Sequence, residues 1–259
     1  MCLVLFAYHA HPTYKLIVAA NRDEFYQRPT AAADYWEDEP HILAGRDLDK
    51  MGTWMGITKN GRFAALTNYR NPQENTKGKH SRGELVADFL KDNGHPEGFM
   101  QHAANKRALY PGYNLLAGTA EDLYYYANIG NEIHRVQPGI HGLSNHILNT
   151  EWPKVKRGKE GLAKIINDPS GIKEAGNTES LVAQLFTLLQ NTEPVSDELL
   201  PKTGIPHDLE KMLSTLFIKS EEYGTRSSTV LLMGDNETHY IERVYSHTGI
   251  RSKEFLISK

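Results

Sequence analysis

Short apolar runs joined by tight-turn signals fill the first part of the chain, and they restrict the fold more than any other feature. Cys2 to Tyr8 and Lys15 to Ala20 are two such runs on either side of a His11-Pro12-Thr13 turn, which predicts a buried hairpin. Gly52 to Thr58 and Arg62 to Thr67 form another pair across Lys59-Asn60-Gly61, and Asn-Gly is the strongest short-range hairpin signal. The polar stretch between the two pairs, with Pro29, Asp34 and Asp38-Glu39-Pro40, reads as an irregular connector. An antiparallel sheet is expected for the N-terminal third.

Helical signals begin at Ser81. Ser81-Arg82-Gly83-Glu84 has capping-box spacing, and Leu85, Val86, Phe89 and Leu90 follow at helical intervals, so a helix is expected to about Asn93, closed by Gly94. Tyr113 to Gly118, Leu123 to Asn128 and Glu132 to Val136 read as a second antiparallel set. Trp152 to Ile166 and Glu179 to Leu189 read as helices, and Thr229 to Met233 with His239 to Val244 as a last strand pair turned by Gly234-Asp235-Asn236. Helices grouped between antiparallel strand sets favour an α+β or layered architecture over a parallel doubly wound sheet. One domain over residues 1–259 is expected.

Charge and cysteine content exclude several function classes. With 29 Lys+Arg against 32 Asp+Glu the net charge is −3, which gives no electrostatic footprint for nucleic acid or an anionic membrane. A single cysteine among 259 residues forms neither an internal disulfide nor a multi-cysteine metal site. The apolar runs fall far short of the roughly 20 residues of a spanning helix, so no stable membrane insertion is expected. No basic residue precedes the short first run, which argues against a signal peptide, and a cytoplasmic setting is expected. No GxGxxG or P-loop string occurs, so no cofactor is expected. His9 and His11 lie on one face of an extended segment, but no carboxylate stands at a ligand spacing nearby. They read as solvated residues of a hairpin end, and no metal is expected.

The position of the cysteine carries more information than its number. Removal of Met1 would leave Cys2 with both a thiol and a free α-amine. The amine, with an ordinary pKa of about 7.7 to 8, can accept a proton near neutral pH, and the thiol is intrinsically nucleophilic. Asn21-Arg22-Asp23-Glu24 ends the second apolar run, and a hairpin returns that end toward Cys2. There an arginine could lower the thiol pKa and a carboxylate could hold the amine. Strict alternation sends Arg22 and Asp23 to opposite faces, so both reach Cys2 only if the strand bends. Asn68 and Asn145 stand at strand ends, where asparagine forms turns or donates to an oxyanion. Arg226 leads into the last strand pair.

These residues belong to ordered strings: Met1-Cys2-Leu3-Val4, Asn21-Arg22-Asp23-Glu24 with Arg28-Pro29, Ala44-Gly45-Arg46-Asp47, Gly52-Thr53-Trp54-Met55-Gly56, Leu66-Thr67-Asn68-Tyr69-Arg70, His141-Gly142-Leu143-Ser144-Asn145 and Gly224-Thr225-Arg226. Together they resemble the NRDE family, also called the transport and Golgi organisation protein 2 family, over essentially the whole chain. The resemblance implies the N-terminal nucleophile hydrolase fold, a four-layer αββα sandwich, with choloylglycine hydrolases and penicillin V acylases as wider relatives. It further implies Cys2 as nucleophile, Arg22 and Asp23 as its immediate partners, Asn68 and Asn145 as oxyanion or substrate donors, and Arg226 as a supporting residue. The acylases separate their arginine and aspartate, whereas Arg22 and Asp23 are adjacent, which leaves Asn21 and Glu24 open as alternatives. Two functions follow from the resemblance. One is cleavage of a small-molecule linear amide or thioester through Cys2, and the other is carriage of a hydrophobic ligand (lipid, acyl-coenzyme A or haem) on the same scaffold. The sequence assigns no oligomeric state.

Overall fold

A computed structural model describes residues 2–168, 178–246 and 249–258. Its strands are β1 (Cys2–Tyr8), β2 (Tyr14–Phe25), β3 (Thr30–Tyr35), β4 (Ile42–Asp47), β5 (Met55–Thr58), β6 (Arg62–Asn68), β7 (Tyr113–Thr119), β8 (Leu123–Ala127), β9 (Glu132–Arg135), β10 (Gly139–Leu143), β11 (Tyr223–Gly234), β12 (Glu237–Ser246) and β13 (Gly249–Ser258). The helices are α1 (Gly83–Lys91), α2 (Pro96–Asn105), α3 (Pro153–Ile166), α4 (Thr178–Leu189) and the short α5 (His207–Leu213). All strand pairings are antiparallel. One sheet runs β10-β1-β2-β11-β12-β13 and the other β3-β4-β5-β6-β7-β8-β9.

Side-chain alternation sorts these elements into four layers. Along β1, Val4, Phe6 and Tyr8 enter the core between the two sheets, where they meet Phe63 and Ala65 of β6. Leu3, Leu5 and Ala7 point the other way and pack under Leu162 and Ile166 of α3 and Leu185, Phe186 and Leu189 of α4. On β6, Ala64 and Leu66 face outward onto α1 and α2 through Leu85, Val86, Phe89 and Met100. The result is the expected αββα sandwich with three interlayer cores. Because β1 is buried on both faces, a one-residue slip would exchange two differently shaped core sets, so its register is tightly set.

Several elements depart from the sequence reading. The stretch read as a polar connector contains β3 and β4, whose Ala33, Leu43 and Ala44 are buried. Their pairing with the strong β5–β6 hairpin overrides a weak local pattern. The helices α2 and α5 and the strand β13 also went unanticipated, while β10 is the strand whose end Asn145 marked. β13 is an edge strand with most residues exposed, so no buried alternation marks it. Ser81 forms no capping box: α1 begins after Arg82 without a side-chain cap, while Glu84 bonds His80 and Tyr110 instead. The helix stops at Lys91, short of Asn93. At the first hairpin, His11 Nδ1 accepts the backbone N–H groups of Thr13 and Tyr14, which gives that histidine a turn-stabilising role. Among the described residues no helix is long and apolar enough to cross a membrane.

Candidate active site

The hairpin of β1 and β2 places Cys2 directly opposite Arg22, and the β2–β11 pairing supplies the bend that plain alternation lacks. Thr225 pairs with Asp23 and Ser227 with Arg22, so Arg226 is the extra residue of a β-bulge. A bulge increases local twist and re-aims side chains. Here Arg22, Asp23 and Glu24, three consecutive residues, all line one cavity of about 280 Å³ together with Cys2, Trp54, Asn68 and Arg82. Asn21 does not join them. Its amide donates to the carbonyls of Leu189 and Leu216 at 2.9 and 2.8 Å and accepts from Ser228, so it fastens the sheet to the helical layer.

Cys2 is half-buried, and burial pushes its thiol above the ordinary range. The Asp23 carboxylate adds to that rise, while Arg22 and a hydrogen bond from the Asp23 backbone work against it. A thiol so placed needs a base. Arg22 is only 6% exposed. Its guanidinium lies 4.1 Å from the Trp54 ring centroid, and Nη1 is buried with no hydrogen-bond partner among the described residues. Asp23, 1% exposed, accepts from Thr225 Oγ1 at 2.7 Å. Ser144 Oγ donates to the Cys2 carbonyl at 3.1 Å, which fixes the backbone just after the nucleophile.

The other expected residues divide. Asn68 lies in the cavity wall, and its side-chain amide engages no other described residue, so it is free to donate to an oxygen bound there. Asn145 is fully buried and outside the wall. Its Nδ2 donates to the Asn68 carbonyl at 3.0 Å, so it positions Asn68 from behind. Arg226 faces away from Cys2: its guanidinium donates to the carbonyls of Phe25 and Arg28 at 2.8 and 3.0 Å and secures the end of β2. Trp54, Ser144 and Thr225 belong to the family-like strings of the sequence, but no role was assigned to them there. Lys154 gave no local signal, because the groups it faces are distant in sequence. Gly45 makes room for Trp54: a Cβ at that position would stand 2.3 Å from the indole.

Residues 1–247 match the family described as Transport and Golgi organisation 2. The chain is 35% identical over 260 residues to the Transport and Golgi organization protein 2 homolog of Bos taurus, covering 94% of this chain and 92% of that one. It is 34% identical over 280 residues to the Homo sapiens homolog, covering 99% of each. Among solved structures it superposes on a mutant conjugated bile acid hydrolase from Clostridium perfringens with a TM-score of 0.54 at 10% identity, covering 98% of this chain and 92% of that one. A second mutant of that enzyme gives 0.51 at 9% identity, covering 100% and 97%. The match over nearly all of its length makes this chain a member of the Transport and Golgi organisation 2 family, built on the N-terminal nucleophile hydrolase fold.

Proposed function

We propose that the protein is a cysteine amidohydrolase of the N-terminal nucleophile type, cleaving a linear, non-peptide amide or a thioester through Cys2. The observation that carries this reading is the convergence of Cys2, Arg22, Asp23 and Asn68 on one cavity. Once Met1 is removed, the Cys2 α-amine takes the thiol proton, with Asp23 beside it to hold the amine. The sulfur attacks the substrate carbonyl, and the Asn68 amide donates to the oxygen that becomes negative. The proton passes from the α-amine to the leaving nitrogen or thiolate, the C–N or C–S bond breaks, and an acyl-cysteine thioester is left. Water, activated by the same amine, then releases the acid.

The cavity wall also bears on substrate. Arg28 is neutralised by Asp47 at 2.6 Å; over the whole lining the cations Arg22, Arg28, Lys50, Lys79 and Arg82 still outnumber the carboxylates Asp23, Glu24 and Asp47. That surplus favours a substrate with a polar or anionic group. A second reading, carriage of a hydrophobic ligand, rests on a different place: a groove of about 560 Å³ lined by Tyr26, Phe217, Tyr245 and Ile250, the mixed apolar lining common to ligand sites.

The two readings separate in one experiment. Intact mass should show loss of one methionine. The processed chain should then turn over members of a panel of N-acyl amides and acyl thioesters, and Cys2→Ala should abolish turnover. Saturable binding of a hydrophobic probe without product, unaltered in Cys2→Ala, would select the carrier. Retention of Met1 in active protein would remove the α-amine mechanism.

A further inference from the structure

Lys154 sits in the first turn of α3, just after Pro153, and is 3% exposed. Its Nζ is buried with no hydrogen-bond partner among the described residues. A lysine is seldom so deeply buried without a partner, and the N-terminal end of a helix is the end that disfavours a cation. Packing alone does not account for it, because an apolar side chain would fill the space without the desolvation cost. What faces it does. Burial pushes the Lys154 ammonium down; the anion that draws it back most strongly is Asp23, with Cys2 weaker, while Arg70 carries the same sign and repels it.

The rest of the surroundings are spoken for. Arg70, on the loop after β6, is ion-paired to Glu210 of α5 at 2.7 Å, both side chains being under one tenth exposed. Tyr223 of β11 is held neutral by burial. Arg22, on β2 itself, is turned to Trp54. Asp23 is pushed upward by burial, and among the described residues that draw it back Lys154 acts most strongly, ahead of Thr225 and Arg22. One buried cation and one buried carboxylate therefore offset each other beside the nucleophile.

We propose that Lys154 is a positioning residue: its buried ammonium keeps Asp23 an anion in the core, so that the carboxylate can hold the α-amine which Met1 removal gives to Cys2. The inference rests on the reading of Cys2 as nucleophile and adds a residue to it that never touches substrate. Lys154 does not line the cavity.

The test uses the full chain with Met1 loss verified by intact mass. Wild type, Lys154→Met, Lys154→Arg, Asp23→Asn and the Asp23→Asn/Lys154→Met double variant are melted from about pH 5 to about pH 9, the range over which a buried carboxyl without its partner gains a proton. The Tm loss of Lys154→Met is expected to be larger at the alkaline end than at the acid end. Lys154→Arg should restore most of it, and the pH-dependent part should vanish in the Asp23→Asn background. Since Cys2 is the sole cysteine, iodoacetamide reads it alone, and Lys154→Met should slow labelling roughly threefold to tenfold near neutral pH, about half to one pKa unit. A Tm loss equal at every pH, or unchanged in the Asp23→Asn background, overturns the proposal. If Lys154→Met does not fold, the double variant decides. It folds if the unpaired carboxylate was the fault, and it fails if the lysine stem was needed for packing, which again overturns the proposal. Wild-type Cys2 that labels no faster than free cysteine removes the nucleophile reading itself; normal wild-type labelling with an unmoved Lys154→Met profile removes only Lys154.

Discussion

The guanidinium of Arg22 is directed by a ring face and the amide of Asn68 by nothing but its backbone, and both end at the same cavity as the Cys2 thiol. The two asparagines therefore differ in kind although they looked alike in the sequence. Asn68→Ala removes a donor from the wall and should lower kcat for a substrate turned over through Cys2 by about 10²- to 10³-fold, with little change in Tm. Asn145→Ala instead strips a buried tether from the Asn68 carbonyl and should cost about 1 to 3 kcal/mol of stability. Steady-state kinetics beside thermal melts check the pair. Equal kinetic losses with no stability difference would show that the backbone tether does not separate the two residues.

Among the elements, the bulge at Arg226 does most to build the site. Arg226→Ala loses two donations to carbonyls at the end of β2 and should cost about 1 to 2 kcal/mol, with Cys2 labelling kept within roughly threefold. Deleting the residue is a different change. It slips Tyr223, Gly224 and Thr225 by one position, sends alternate side chains to the wrong face, and breaks the Thr225 bond to Asp23. Loss of both labelling and the folded transition is expected there, measured by alkylation and circular dichroism. A deletion variant that labels normally would mean that Asp23 reaches Cys2 without the bulge. The same element shows what was legible in advance. The β1–β2 hairpin, and with it Cys2 beside Arg22 and Asp23, followed from two apolar runs and a turn. The bulge did not, because it depends on β11, some two hundred residues away in the chain. Local patterning also could not announce β3 and β4, whose short strands are held by neighbours more than by their own alternation. Arg226 was visible as a residue but not as the one that makes the bend.

Across the whole molecule, Glu242 ties the two sheets together. It stands on β12, 1% exposed, and its Oε2 accepts the backbone N–H of Ala33 on β3 at 2.6 Å, while Oε1 is buried with no hydrogen-bond partner among the described residues. Burial raises its pKa above the ordinary carboxylate value. Such a group binds its proton more tightly folded than unfolded. Its contribution is therefore fullest below the unfolded pKa and falls as pH rises toward the folded one. Glu242→Gln can still accept from Ala33 and cannot ionise, so its Tm relative to wild type should improve from about pH 4 to about pH 8. Thermal unfolding across that range checks this, and an offset that stays flat would mean Glu242 does not titrate in the core.

Cys2, Arg22 and Asp23 belong to one sheet, whereas Asn68 closes the other sheet's β6 and Trp54 stands directly before its β5. Neither sheet owns the cavity. It comes into being only when the two halves of the sandwich close on each other, so the nucleophile stays without Asn68 and Trp54 until the inter-sheet core has formed.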